Sequence, residues 1–133
     1  MHNAQSTLLY RWFNEVWNSK NENAIDDLMT EDATAHGLGD AGIQGAPAFK
    51  AFFRDFNRQF RDVTVEVDDV ITEDGIESAR TTVHAIHNEA NIPVHFTGIC
   101  MVKVTDGKIA EAWNNYDFLN MYQQLGQKVT TAG

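Results

Sequence analysis

After Asp62 the hydrophobic period of this chain changes from that of a helix to that of a strand, and the strand period persists to Tyr116. Val63, Val65 and Val67 alternate with Thr64 and Glu66, and Asp68-Asp69 then breaks the phase at a place suited to a β-bulge. Asp74-Gly75 and Thr105-Asp106-Gly107-Lys108 are hairpin signals, because Asp-Gly tolerates the positive φ that tight two-residue turns require. Between and beyond them lie Ile76 to His87, Val94 to Val104 and Lys108 to Tyr116. A chain with this order forms a meander of about four long antiparallel strands.

Upstream the period is helical. Leu8, Leu9, Trp12, Phe13, Val16 and Trp17 recur at spacings of three and four, which predicts one amphipathic helix over Asn3 to Asn18. A short second helix runs from Ala24 to Met29. Thr30 to Leu38 reads as an exit loop or short strand, followed by a loop crowded with Gly37, Gly39, Gly42 and Gly45. Pro47 suits the first turn of a third helix, since its missing N–H has no partner there. Phe49, Phe52, Phe53, Phe56 and Phe60 give that helix an aromatic stripe, read mainly as core. A short helix or turn follows Asp117. Three helices before an antiparallel sheet make an α+β fold, with the helices gathered on one face of a curved sheet. The open end of such a cone is the natural ligand site.

The 133 residues are expected to form a single domain, residues 1-133, with a core that needs no staples. A net charge of -9 argues against nucleic acid or an anionic membrane as a partner. The lone Cys100 forms no intrachain disulfide, and its apolar flanks predict an inert thiol. With a polar start, Met1 to Thr7, and no apolar run of membrane-spanning length, the expectation is a soluble, cytoplasmic protein.

Read at a period of two, the last strand places Ile109, Glu111, Trp113, Asn115 and Asp117 on one face. An aliphatic, an aromatic, an amide and two acids in one row suit a pocket wall. Asp117 has two readings. Desolvated beside Trp113, it becomes a general base; as the N-cap of the following turn, it accepts N–H bonds and is a poor base. Glu111 needs a partner if buried, and Arg80 on a neighbouring strand is the candidate. His36, before the glycine-rich loop, is either a pocket-wall donor or an ordinary loop histidine. Asp40 reads as an exposed loop acid. His84 and His87, three apart on a strand, point to opposite faces, and no carboxylate-rich spacing around His95 completes a set, so no metal site is expected.

Several stretches in register carry a resemblance. Leu9-Tyr-Arg-Trp-Phe-Asn-Glu-Val-Trp-Asn18, Ala35-His36, Gly45-Ala-Pro-Ala-Phe49, Asp106-Gly-Lys-Ile-Ala-Glu-Ala-Trp113, Asp117 and Gln124-Leu-Gly126 resemble the SnoaL-like polyketide cyclases. These are a branch of the nuclear transport factor 2-like superfamily. The resemblance implies a cone-shaped, cystatin-like α+β barrel and a homodimer through the outer sheet face, to which the alternating Thr97, Ile99 and Met101 lend support. It also implies intramolecular aldol cyclisation, or a related isomerisation or dehydration, without metal or cofactor. Asp117 would be the acid/base and His36 its catalytic companion. Trp113, Asn115, Glu111, Phe52 and Arg80 would line the site around a small hydrophobic carbonyl compound. The short Asn88–Pro93 connection departs from the family's longer loop, which implies a different pocket rim. Alternatives are a non-catalytic module binding a small hydrophobic ligand or a protein, a ketosteroid-isomerase-like enzyme, or an epoxide hydrolase using a Glu111/Arg80/Asp117 set.

Overall fold

A computed structural model describes residues 6–38 and 42–126. The beginning of the first predicted helix and Asp40 therefore lie outside the described residues. Helix α1 (Leu8–Trp12) starts at Thr7, whose side chain accepts a hydrogen bond from the Tyr10 N–H at 3.3 Å. The helix then widens into a π-helical segment, Phe13–Asn18, rather than continuing as α. Its exit carries bonds between residues five apart, Ser19 N–H to Asn14 O and Asn21 N–H to Val16 O. Asn18 closes the segment against the sheet: its side chain accepts from the Val65 N–H at 2.6 Å and donates to the Val65 carbonyl at 2.9 Å.

Helix α2 (Ala24–Leu28) leads into strand β1 (Met29–His36), and a two-residue strand β2 (Ile43–Gln44) precedes helix α3 (Ala46–Gln59). Pro47 sits in the first turn of α3, as its sequence position predicts. The meander follows as β3 (Phe60–Glu73), β4 (Ile76–His87), β5 (Pro93–Thr105) and β6 (Lys108–Tyr116), then helix α4 (Phe118–Gln124). Asp74-Gly75 and Asp106-Gly107 turn with positive φ throughout, 50° and 80° in the first, 51° and 76° in the second. Both are the twist-matched hairpin turns that their sequence signals.

The sheet has six strands in the order β2-β1-β6-β5-β4-β3. The segment read as an exit loop or short strand is β1, and it pairs in parallel with β6. Its polar run Thr30-Glu31-Asp32 hides the strand period, so only partners from the far end of the chain reveal it. The register of β3 against β4 shifts between Val67 and Asp69, where the sequence breaks phase.

Helices and sheet meet in one core. Leu9, Val16, Ile25, Val63, Val102 and Ile109 are all fully buried. The start of α1 is fixed to β4 by Glu77, a buried carboxylate that accepts from the Leu8 N–H at 3.1 Å and the Leu9 N–H at 2.8 Å. Those N–H groups have no partner within the helix, and the carboxylate complements the positive end of its dipole.

Candidate functional site

The face of β6 turned toward the helices is not the one that simple alternation predicts. Lys103 pairs with Glu111 and Val104 with Ile109, so Ala110 is an extra residue on β6. A one-residue insertion moves every later side chain to the opposite face. Ile109 points inward, whereas Glu111, Trp113, Asn115 and Asp117 point outward, and Trp113 is 41% exposed. The inward row is Ala112, Asn114 and Tyr116, followed by Phe118 of α4. Their cross-strand partners are Val102 for Ala112, Cys100 for Asn114 and Gly98 for Tyr116.

This row closes an apolar cavity of about 70 Å³ between the sheet and the helices. Trp12, Phe13 and Trp17 enter it from the first helix, and Phe49, Phe52 and Phe56 from α3. Phe13, Val16 and Trp17 of the widened segment are all buried, in keeping with their spacing of three and four. Rings in the cavity wall interlock. Trp12 meets Phe49 edge-on at 5.1 Å, and Trp17 contacts Phe49, Phe52, Phe53 and Phe56 at 5.1–6.3 Å.

Among the described lining residues Asn114 brings the only side-chain amide and Tyr116 the only hydroxyl. Asn114 is steadied by donating its Nδ2 to the His36 carbonyl at 2.9 Å. Tyr116 leans across Gly98. A Cβ at that glycine would stand 2.1 Å from the Tyr116 ring, so glycine in mid-strand is what makes room for it. Burial raises the Tyr116 phenol well above its usual range; the neighbouring Cys100 adds to this and a Thr81 hydrogen bond opposes it. The phenol therefore stays a neutral donor at any ordinary pH. Burial likewise pushes the Cys100 thiol up to about 12, in keeping with the inert thiol its apolar flanks predict.

Of the residues that the sequence assigns to a site, Phe52 alone lines this cavity. Asp117 lies outside it as the N-cap of α4, accepting from the Asn120 N–H at 3.0 Å. It borders an open groove on the outer face with Arg80, Asn115, Ile99 and Leu119. His36, Glu111 and Trp113 do come together, but on the same outer face. The His36 Nε2 lies 2.9 Å from Glu111 Oε2, and its ring stacks on Trp113 at 5.9 Å and 20°. The expected Arg80–Glu111 ion pair is absent. Strand β5 separates β4 from β6, and Arg80 instead grips its register partner Asp69 at 2.8 and 2.7 Å. With Arg80, Glu111 and Asp117 each engaged elsewhere, no epoxide-hydrolase set forms. His84 faces outward, bonded to Glu66 at 2.9 Å and stacked on His95, while His87 packs on Phe60. Among the described residues no three His, Cys, Asp or Glu side chains gather as metal ligands would.

Asn114, Tyr116 and the buried Glu77 escape a reading by alternation alone. One signal could have found the first two. An unbroken ladder counted back from the Thr105–Lys108 pair sets the acid Glu111 beside the inward Val102, a conflict that a bulge resolves.

A curved sheet packed on helices around an apolar cavity defines the ketosteroid-isomerase-like class of folds. A protein of that fold from Catenulispora acidiphila, solved in complex with trimethylamine, superposes with a TM-score of 0.82 at 16% identity, over 95% of this chain and 98% of its own. The model of the family described as SnoaL-like polyketide cyclase matches residues 7–125, and the chain belongs to that family. A candidate polyketide cyclase from Bacillus cereus is 28% identical, covers 90% of this chain and 78% of its own, and has a TM-score of 0.79. IdmH, a candidate polyketide cyclase from Streptomyces antibioticus, is similar at 23% identity, 94% and 100% coverage and a TM-score of 0.81. No curated protein matches the chain. No helix among the described residues is long and apolar enough to cross a membrane.

Proposed function

We propose that the protein takes a small neutral carbonyl compound into the inner cavity and catalyses cofactor-independent proton transfer next to the carbonyl. Aldol cyclisation, isomerisation and dehydration all begin with that step. The observation carrying this reading is the wall itself, whose described residues are apolar or aromatic except where Asn114 and Tyr116 stand together on β6. The hydrocarbon body packs among the rings, and the Tyr116 hydroxyl donates to the carbonyl oxygen, stabilising the enolate as charge develops on it.

The acid/base role falls to Asp117, on the family resemblance and on its place in the chain between two wall residues, Tyr116 and Phe118. It acts only if its carboxylate leaves the α4 cap and turns inward. A single hydrogen bond at 3.0 Å is what the cap would lose. A non-catalytic binding role is the second reading, favoured by the lack of any carboxylate or imidazole among the described lining residues.

Proton NMR of cyclohexanone in D2O separates the two. An enzyme accelerates exchange of the α-hydrogens; Asp117→Asn removes the acceleration and Tyr116→Phe lowers it about 10²-fold or more. Undiminished exchange in Asp117→Asn rules out that base, and no acceleration by the wild type leaves the binding reading.

The protein also acts as a homodimer in the cytoplasm, joined through the outer sheet face. Met101 and Trp113, register partners there, are 44% and 41% exposed, and Ile99 beside them is 55% exposed. Such a row of apolar side chains suits an interface core.

A further inference from the structure

The proposed ligand has to fit a small space. The cavity's 70 Å³ is about half of the ~150 Å³ in which an engineered apolar site holds one benzene. A single ring already needs part of the wall to shift and a fused second ring needs more, and the wall does not yield evenly. Trp12, Phe49 and Trp17 are 4%, 4% and 8% exposed, and both tryptophans meet Phe49 edge-on. In an interior packed to crystal-like density, moving one such ring moves its neighbours.

Phe52 and Phe56 are only half-buried, one turn apart on α3. Phe56 is held by a stacked contact with Phe60 at 4.7 Å and 20°, and by the Trp17 edge at 5.7 Å. Phe52 has no stacked partner. Its ring contacts are tilted or edge-on, at 5.7 Å to Phe49, 6.2 Å to Trp17 and 6.3 Å to Phe56. Of the aromatic side chains that the first helix and α3 bring to the wall, Phe52 and Phe56 are the two with access to solvent, and Phe52 is the one without a stacked ring.

We infer that Phe52 sets the size limit of the site, so that the cavity accepts neutral carbonyl compounds of one ring or a short chain and rejects fused polycycles. This rests on the reading that the cavity is the ligand site. On the helix side a second fused ring would enter where the Phe52 side chain stands, because Trp17 is also held by Phe49, Phe53 and Phe56. Shortening the side chain to leucine frees that space while keeping an apolar residue of good helix propensity.

The test is ligand-observed saturation-transfer NMR, with cyclohexanone and 1-decalone titrated against wild type, Phe52→Leu and Phe52→Trp. Wild type is expected to bind cyclohexanone and to bind 1-decalone at least tenfold more weakly. Phe52→Leu raises decalone affinity at least tenfold with cyclohexanone within threefold, and Phe52→Trp weakens both. Equal binding of the two ketones by wild type overturns the size limit and leaves the site standing. So does a folded Phe52→Leu that binds cyclohexanone without gaining decalone. If Phe52→Leu does not fold, unchanged binding by Phe52→Trp overturns the assignment to Phe52. Binding of neither ketone by any of the three proteins overturns the cavity as a ketone site, and this inference with it.

Discussion

Removing the Glu77 carboxylate tests how the aromatic half of the cavity is held in place. Glu77 is 7% exposed and accepts two backbone N–H groups at the start of α1, of which Leu9 is 0% exposed. Hydrogen bonds to a charged group contribute about 1.5–3 kcal/mol each. Two would suggest up to about 6 kcal/mol, but burying a carboxylate itself costs several kcal/mol, and an alanine no longer bears that cost. The two N–H groups are then left without a partner in a dry site. The balance for Glu77→Ala is a loss of about 3 kcal/mol, with Glu77→Gln about 2 kcal/mol because its carbonyl still accepts one N–H. At an unfolding entropy of ~2 cal/mol/K per residue, 3 kcal/mol over this chain lowers Tm by about 10 °C. Urea unfolding followed by far-ultraviolet circular dichroism measures both variants. Glu15→Ala, which breaks the exposed Arg11–Glu15 pair on the same helix, serves as the control and should leave the midpoint within error. A loss below about 1 kcal/mol for Glu77→Ala would refute the argument, since the start of α1 would then be held by something else.

Gly98→Ala drives a methyl group into the Tyr116 ring, with an overpacking cost of about 1–3 kcal/mol, and should weaken cyclohexanone binding in titration because the ring is displaced within the cavity. The Cys100 thiol should resist Ellman's reagent at pH 8 in the native protein and react at once in urea. Its folded pKa of about 12 exceeds the usual thiol value, so its share of stability is full below about pH 8.5 and is lost as pH rises from there toward 12. Urea midpoints measured between pH 8 and 11 should fall accordingly, and Cys100→Ser should flatten that fall. Met101→Lys places a charge at the centre of the proposed dimer face; sedimentation should show a dimer for the wild type and a monomer for the variant.

Much of the architecture is legible along the chain because its determinants are local. The two Asp-Gly turns, the spacing-of-three-and-four stripe in the first helix, Pro47 at the start of α3 and the phase break at Asp68-Asp69 each rest on neighbouring residues, and each stands where it was read. The family, too, is visible as a linear pattern, from Leu9 to Gly126.

The composition of the site is different in kind. Which face of β6 meets the cavity depends on a single extra residue, Ala110, and that bulge is a property of the β5–β6 pairing. The alternation of β6 alone permits either phase, so Asp117 and Trp113 read as pocket residues while Asn114 and Tyr116 occupy the wall. Glu111 took His36 as partner, not Arg80, because strand order put β1 beside β6 and β5 in between. Local spacing thus determines elements and turns, whereas tertiary pairing decides which side of each strand is inside. The reason is geometric: a strand repeats every two residues, and a shift of one inverts its whole chemistry.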